Sequence, residues 1–497
     1  MLLFAAASLV LVSCGDDDEE ETPVQTGTPI SETLADGTIK YNGNSNGIAE
    51  DQTATVNWTA DNSYLVNGFL FVNPGQTLNI EAGTIIRFQE QATTGDNASA
   101  LIVSRGATIN ATGTASAPII FTAERDTDVN SASDIVGNQR GLWGGIIILG
   151  NASQNTVPGE QAIEGIPTSE TRGIYGGSDD EDNSGVFQYV SIRHGGSDIG
   201  AGNEINGLSM GCVGRGTTID HVEVAFNTDD GFEWYGGTVN CKYLVATYCG
   251  DDSYDYDQGW RGMGQYWFTI QSVGGDNGGS AGEHDGGTEP ESGTPFATPI
   301  IYNATYLGDP SNDGLVIRDN AGGQYHYSVF QQWDEGCQVE NTGTEAAPTG
   351  SYARFLDFDA TSSSAVGFAL RGNRFFAIGD GSLDDLLNVT DSDADTVLRA
   401  NTDSIQAALV LNAAFDNAVA GAAIFSLTDN NSNWTTTLPG LASELNLSGN
   451  FTVLDQTNPD NVSATSFIDA VSYRGAFDPN GTPWTNGWTY LNNVAGI

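Results

Sequence analysis

Basic side chains are scarce in this chain. Sixteen Lys and Arg stand against 64 Asp and Glu over 497 residues, a formal charge of −48. Such a surface repels nucleic acid and anionic lipid headgroups, so neither is expected as a partner. The N-terminal apolar run, residues 2–11, is too short to cross a bilayer as a helix and has the length of a signal-peptide core. Cysteine is sparse as well: five in all, none in CxxC spacing, which argues against a zinc site. Outside a reducing compartment Cys212, Cys241, Cys249 and Cys337 can pair in three ways, or they remain buried thiols; the sequence leaves both open. Long helical patterns are rare. In their place stand 63 Gly, with Thr, Asn, Ser and Asp between short apolar runs, a texture of many tight turns.

A repeat is present. Asn227-Thr228-Asp229-Asp230-Gly231-Phe232-Glu233-Trp234 is followed by Gly250-Asp251-Asp252-Ser253-Tyr254-Asp255-Tyr256-Asp257. Asp229 falls on Asp251, Asp230 on Asp252, Phe232 on Tyr254 and Glu233 on Asp255, each 22 positions apart. Leu78, Ile80 and Gly83 fall on Leu101, Val103 and Gly106 at a spacing of 23, and 314–317 aligns with 336–339 at 22. Short alternating runs at that period, broken by Gly, Asn and Asp, predict an all-β solenoid in which each repeat is one coil. Residues 1–13 read as a signal peptide and 14–39 as an acidic, Thr/Pro/Gly-rich tether. Residues 40–379 read as the solenoid. Residues 380–497 read as a C-terminal cap or subdomain with some helix, because 383–389 and 404–415 carry helical Ala/Leu spacing. Residues 153–185 read as a polar excursion.

In a solenoid, residues one period apart stack at the inter-strand distance. Asp229 over Asp251 and Glu233 over Asp255 then lie about 5 Å apart. Such a pair repels by roughly 1 kcal/mol in water and about 3 kcal/mol at an effective dielectric of 20. Three outcomes relieve the repulsion: splaying into solvent, raised carboxyl pKa values, or a hard cation. Calcium suits the third, since it takes about 6–8 oxygen ligands. The metal ligands in that case are Asp229, Asp230, Glu233, Asp251, Asp252, Asp255 and Asp257. Trp234, Tyr235, Tyr254, Tyr256, Trp260, Tyr266 and Trp267 either present flat faces to sugar rings or form interior or lateral ladders along the coils. Arg193, His194, Arg261, Glu283 and Asp285 complete the candidate ligand-binding set.

Several stretches carry resemblances. Leu11-Val12-Ser13-Cys14-Gly15 looks like a bacterial lipobox, which implies lipidation of Cys14 and an outer-membrane anchor. The acids at 16–21 resemble the surface-export signal of Bacteroidota lipoproteins. The 22–23-residue coil resembles the right-handed parallel β-helix of the pectate-lyase-like superfold. Gly144-Gly145-Ile146-Ile147-Ile148-Leu149-Gly150, Ile192-Arg193-His194-Gly195-Gly196, Glu204-Ile205-Asn206-Gly207-Leu208, Asp229-Asp230-Gly231-Phe232-Glu233 and Glu283-His284-Asp285-Gly286 resemble a family of Bacteroidota surface lipoproteins without a settled activity. That resemblance implies fold and address. The lipid anchor, the superfold, the acidic ladder and the aromatic stretch around it lead to the expectation of a calcium-stabilised protein that binds a glycan at the cell surface, with a TonB-dependent transporter as partner. A second resemblance implies an enzyme. Polygalacturonase-type hydrolases carry Asn-Thr-Asp, Asp-Asp, Gly-His-Gly and Arg-Ile-Lys in order, and here Asn227-Thr228-Asp229, Asp251-Asp252, Glu283-His284-Asp285-Gly286 and Ile317-Arg318-Asp319 follow one another. Transferred, Asp229 and Asp252 flank the attacking water, Asp251 is the general acid, and His284 and Arg318 orient the sugar. Glu283 and Asn320 depart from that pattern. A calcium-assisted lyase with Arg193, Arg261 or Arg318 as base, and an adhesive rod without a site, are the other readings.

Overall fold

The computed structural model describes residues 29–131, 134–135, 139–199, 204–271, 278–287, 290–344, 347–356, 367–381, 385–391, 411, 416–420, 424–428, 435–437, 445–453 and 463–493. The signal-like stretch, Cys14 and the acids at 16–21 lie outside these residues, as does almost all of 404–415.

Within each coil three short strands follow one another. Thr77–Ile80, Ile85–Phe88 and Ala100–Val103 make one coil, and Thr108–Thr112, Ile119–Ala123 and Ile146–Leu149 the next. Each strand pairs in parallel with its equivalent one coil on. The result is an all-β parallel β-helix with three faces. The first face is a ten-stranded sheet running from Phe69–Val72 to Asn388–Asp391. The second and third faces merge into a twenty-stranded sheet. They merge because Gly185–Arg193, Thr218–Ala225 and Cys241–Thr247 each run through both faces and bend at a single residue. The bends are Tyr189, His221 and Tyr243, at φ 49°, 53° and 57°. A left-handed conformation costs a non-glycine residue roughly 1–2 kcal/mol. Ring stacking offsets it: Tyr189, His221, Tyr243 and Tyr266 follow one another at 4.2, 4.2 and 4.7 Å between centroids.

Strand residues alternate between the coil interior and the outside. The interior carries Val72, Val103, Ile148, Met210, Trp234, Tyr256, His284, Ile317 and Val339 in one continuous register. At the N-terminal end strand pairing begins inside the stretch expected as tether, residues 14–39. Ser31–Thr33 pairs antiparallel with Ile39–Asn42, which itself joins the second face, so a hairpin closes the first coil. At the other end the expected helix over 383–389 gives way to strand Asn388–Asp391, with Leu386, Leu387 and Val389 buried against the last coil. A short apolar run does not distinguish the two by periodicity. All four described cysteines are buried free thiols.

Two segments are laid on the outside. Residues 151–183 form a lateral arm, whose short hairpin is Gln161–Ala162 with Ile174–Tyr175. It packs Ile163, Ile166 and Tyr175 over Ile102, Ile147 and Leu149 of the first face. The C-terminal segment covers the second face. Trp484 and Trp488 stand edge-on to His221 at 5.9 and 5.8 Å. The buried carboxylate of Glu223 accepts the amides of Tyr490 (2.7 Å) and Leu491 (3.2 Å).

Candidate functional site

The outward row of the first face changes character along the rod. It reads Phe71, Ile102, Ile147 and Ser209, then Glu233 and Asp255, with Glu283 in the following coil. Just before these strands, the turns from the second face bring in Asp229, Asp230, Asp251 and Asp252. Part of their presence there is structural. Asn206 Oδ1 accepts the Asp230 amide (3.1 Å), Asp230 Oδ1 accepts the Asp252 amide (2.8 Å), and Asp252 Oδ1 accepts the Ser280 amide. Each turn thus hydrogen-bonds to the next through a side-chain oxygen, and an Asp or Asn is what such a turn needs.

These turns and strands surround a cleft of about 200 Å³ lined by Glu164, Glu204, Asp229, Asp230, Glu233, Asp251, Asp252, Asp255 and Glu283. Every lining residue is an acid. Asp230, Glu233 and Asp252 are buried, at 7, 7 and 4% exposure, while Asp251 reaches solvent. Glu164 comes from the lateral arm. The Tyr235 hydroxyl lies 2.6 Å from Glu164 Oε2 and also touches Glu233 Oε2, which receives the Asn206 amide as well. Asp255 Oδ1 is buried without any hydrogen-bond partner. Among the described residues the one ion pair to the lining is that of Arg318 with Glu283; the same guanidinium holds Asp285 at 2.7 Å.

Burial and mutual repulsion push these carboxyls toward the protonated state. Burial, then the charges of Glu164 and Asp251, raises Asp229 to about 7. Burial, then Asp251, raises Asp252 to about 8. Asp230, Glu233 and Asp255 are raised well above the carboxylate range, in each case by burial first and neighbouring acids second. Two groups of three offer oxygens within 4.8 Å of one another: Asp229 with Asp230 and Asp251, and Asp230 with Glu233 and Asp255. The donor chemistry fits a hard cation, since carboxylate oxygen is calcium's principal ligand and the sealed Asp255 Oδ1 has nothing else to bind.

Of the predicted site residues, the fold brings Asp229, Asp230, Glu233, Asp251, Asp252, Asp255 and Glu283 together. Asp257 and Asp285 lie in the neighbouring outward row, with Arg318 beneath Asp285, and do not line the cleft. The proposed sugar platforms are not at the surface. Trp234, Tyr256 and Trp260 are fully buried inside the coils, where Trp234 stacks on Trp260 at 4.6 Å. His284 is also interior, stacked on Tyr256 at 3.8 Å and hydrogen-bonded to the Tyr325 hydroxyl at 2.5 Å, so it cannot orient a sugar from outside. The catalytic set of Asp229, Asp251, Asp252, His284 and Arg318 is therefore not assembled on one surface. Arg193 and His194 are sealed elsewhere. Arg193 donates to Ser191 Oγ and Val129 O beneath Tyr490, and His194 faces Gln139 O. Arg261 is buried as well, bonded to Gly259 O, Ser153 Oγ and Asp180. Glu164 and Glu204 were not among the predicted site residues.

Fold and cleft together define a parallel β-helix protein with an outward carboxylate pocket beside a docked arm. The chain belongs to the pectate-lyase-like β-helix domain family, whose model matches residues 50–395. No curated protein and no solved structure matches it.

Proposed function

We propose that this chain is an outward-facing, lipid-anchored β-helix protein that takes calcium in its carboxylate cleft and, with the ion in place, binds a glycan at the cell surface, alongside a TonB-dependent transporter. The observation that carries the calcium reading is the convergence of nine carboxyls on about 200 Å³, with Asp255 Oδ1 buried and unpartnered. Ionised and unfilled, that arrangement is unfavourable; a hard cation satisfies it. The lipobox-like stretch ending at Cys14 and the acids after it support the anchor and the outward address. The cleft is too small to enclose a sugar chain, so the glycan would meet the ion and the polar rim.

Thermal unfolding with calcium and with chelator tests the metal. An ion bound only by the folded state at about 100 times its dissociation constant adds about 2.7 kcal/mol. A carbohydrate array probed with and without calcium tests the ligand. An unchanged midpoint would remove the calcium reading, and an array without calcium-dependent signal would remove the glycan.

A further inference from the structure

We propose that the cleft holds two cations that share Asp230, a closed inner one that pins the lateral arm and an open outer one that exchanges with solvent. The inference rests on the calcium reading and goes beyond it in number and role. Donors on one calcium ion lie about 2.3–2.6 Å from it, so no two of them are more than about 5 Å apart. Each carboxylate group of three meets that limit, at 4.8 Å or less, and the two groups have only Asp230 in common. One coordination sphere accounts for either group; two account for both.

The two positions differ in what surrounds them. The outer group ends on exposed Asp251 and half-buried Asp229, and so stays open to water or to an incoming oxygen ligand. The inner group is Asp230 and Glu233, both 7% exposed, with Asp255, which is partly exposed as a residue but whose Oδ1 is buried and has no protein partner. Asn206 and the Tyr235 hydroxyl close over Glu233, and the same hydroxyl holds Glu164 of the arm at 2.6 Å. An ion seated there ties the tip of the arm to the rod. Two divalent ions bring four positive charges to nine carboxyls, so the second ion is still attracted.

The test is calcium stoichiometry and release rate on the full chain after exhaustive chelation, by calorimetry and by stopped-flow mixing with a fluorescent chelator. Two ions per chain are expected, released in a fast and a slow phase. Asp251→Asn should keep one ion and lose the fast phase. Glu233→Gln should keep one ion, lose the slow phase and make the arm near residues 158–165 more sensitive to protease. Asp230→Asn should weaken both sites by about tenfold or more. Circular dichroism confirms that each variant is folded, and the Asn and Gln replacements keep the side-chain shape. One ion per wild-type chain, or a single release phase lost in both single variants, overturns the two-site inference and leaves the calcium reading in place. No calcium bound to the folded wild type overturns both.

Discussion

The sign of the pH dependence of stability should reverse when calcium is removed. Without a cation, the cleft carboxyls are more easily protonated in the folded chain than in the unfolded one. For such a group stability is fully present below the unfolded pKa and is lost as pH rises through the folded value. Asp229, raised to about 7 from 3.8, alone contributes roughly 4 kcal/mol that disappears between about pH 4 and 7. Asp252, at about 8, extends the decline to higher pH. The two repel each other and do not add, so a loss on the order of 4 kcal/mol is the expectation from the cleft carboxyls of the apoprotein between pH 5 and 8. Spread over the unfolding entropy of more than 400 residues, that is a fall of about 4 °C in midpoint.

The buried histidines act in the opposite direction. Burial lowers His194 to about 4 and His326 to about 3, and lowers His284 well below its usual value. A histidine held neutral contributes stability that is complete above about pH 6.5 and fades as pH falls toward the folded value. With calcium filling the cleft, protons no longer substitute for the cation and only the histidine slope should remain. Between about pH 5 and 6.5 the carboxyl and histidine slopes oppose each other, so the apoprotein is tested above that range: midpoints on chelated, desalted protein should fall from pH 6.5 to 8. Midpoints in millimolar calcium should rise from pH 5 to 6.5 and then stay level. Apoprotein midpoints that hold steady or rise between pH 6.5 and 8 would mean that the carboxyls ionise without penalty, and the reasoning from burial would fail.

Three further outcomes follow from packing. Gly250→Ala should cost about 2–3 kcal/mol in denaturant unfolding, because its Cβ would lie 1.8 Å from the Thr228 carbonyl oxygen in the adjoining turn. Trp488→Ala should cost about 3–5 kcal/mol and loosen the C-terminal segment in hydrogen exchange, since the indole is fully buried against Tyr189 and His221. Arg318→Ala should change stability by less than about 1 kcal/mol, its guanidinium being half exposed in its pairs with Glu283 and Asp285, and should leave calcium binding in place.

Much of this was legible in the repeat. The 22-residue offset that lays Glu233 on Asp255 is the register of the folded sheet. The aromatic surface expected around the acids was an error the same pattern could have prevented. In Phe232-Glu233-Trp234-Tyr235 an outward Glu233 requires an inward Trp234, because neighbours in a strand face opposite sides. Tyr256 between Asp255 and Asp257, and His284 between Glu283 and Asp285, obey the same parity. Glu164 was out of reach. It lies in an excursion without a period, and its place at the cleft depends on how Ile163, Ile166 and Tyr175 seat the arm. Glu204 precedes a strand that lies 24 residues from its partner (Leu208 on Phe232), off the 22-residue period, so no constant offset aligned it with the acids of the later turns. The run 383–389, which ends in strand Asn388–Asp391, reads as helix because its apolar stretch is too short to show a period.

The rod deals with outward polar rows in three ways, and the contrast isolates what is unusual about the cleft. On the third face Asn57, Asn79 and Asn110 stack in register, and the Asn79 and Asn110 amides each donate to the Asn one coil earlier at 2.9 Å, so the row satisfies itself. Glu223 on the second face is satisfied by donors, the amides of Tyr490 and Leu491 and the Ser191 hydroxyl. In the row of Glu233 and Asp255 only Glu233 has donors, Asn206 and Tyr235; Asp255 Oδ1 has none, and neither carboxylate can donate to the other. Converting it to the first solution is the sharpest test of why it is acidic. Glu233→Gln with Asp255→Asn would let an amide donate to its neighbour and remove two ionisable carboxyls from the cleft. If these residues are there for a cation, the double variant should unfold at higher temperature than wild type in chelator. It should also gain less from calcium, keeping at most the contribution of Asp229, Asp230 and Asp251. A double variant less stable than wild type in chelator would mean that protons already satisfy the row, and that its acidity serves the fold and not an ion.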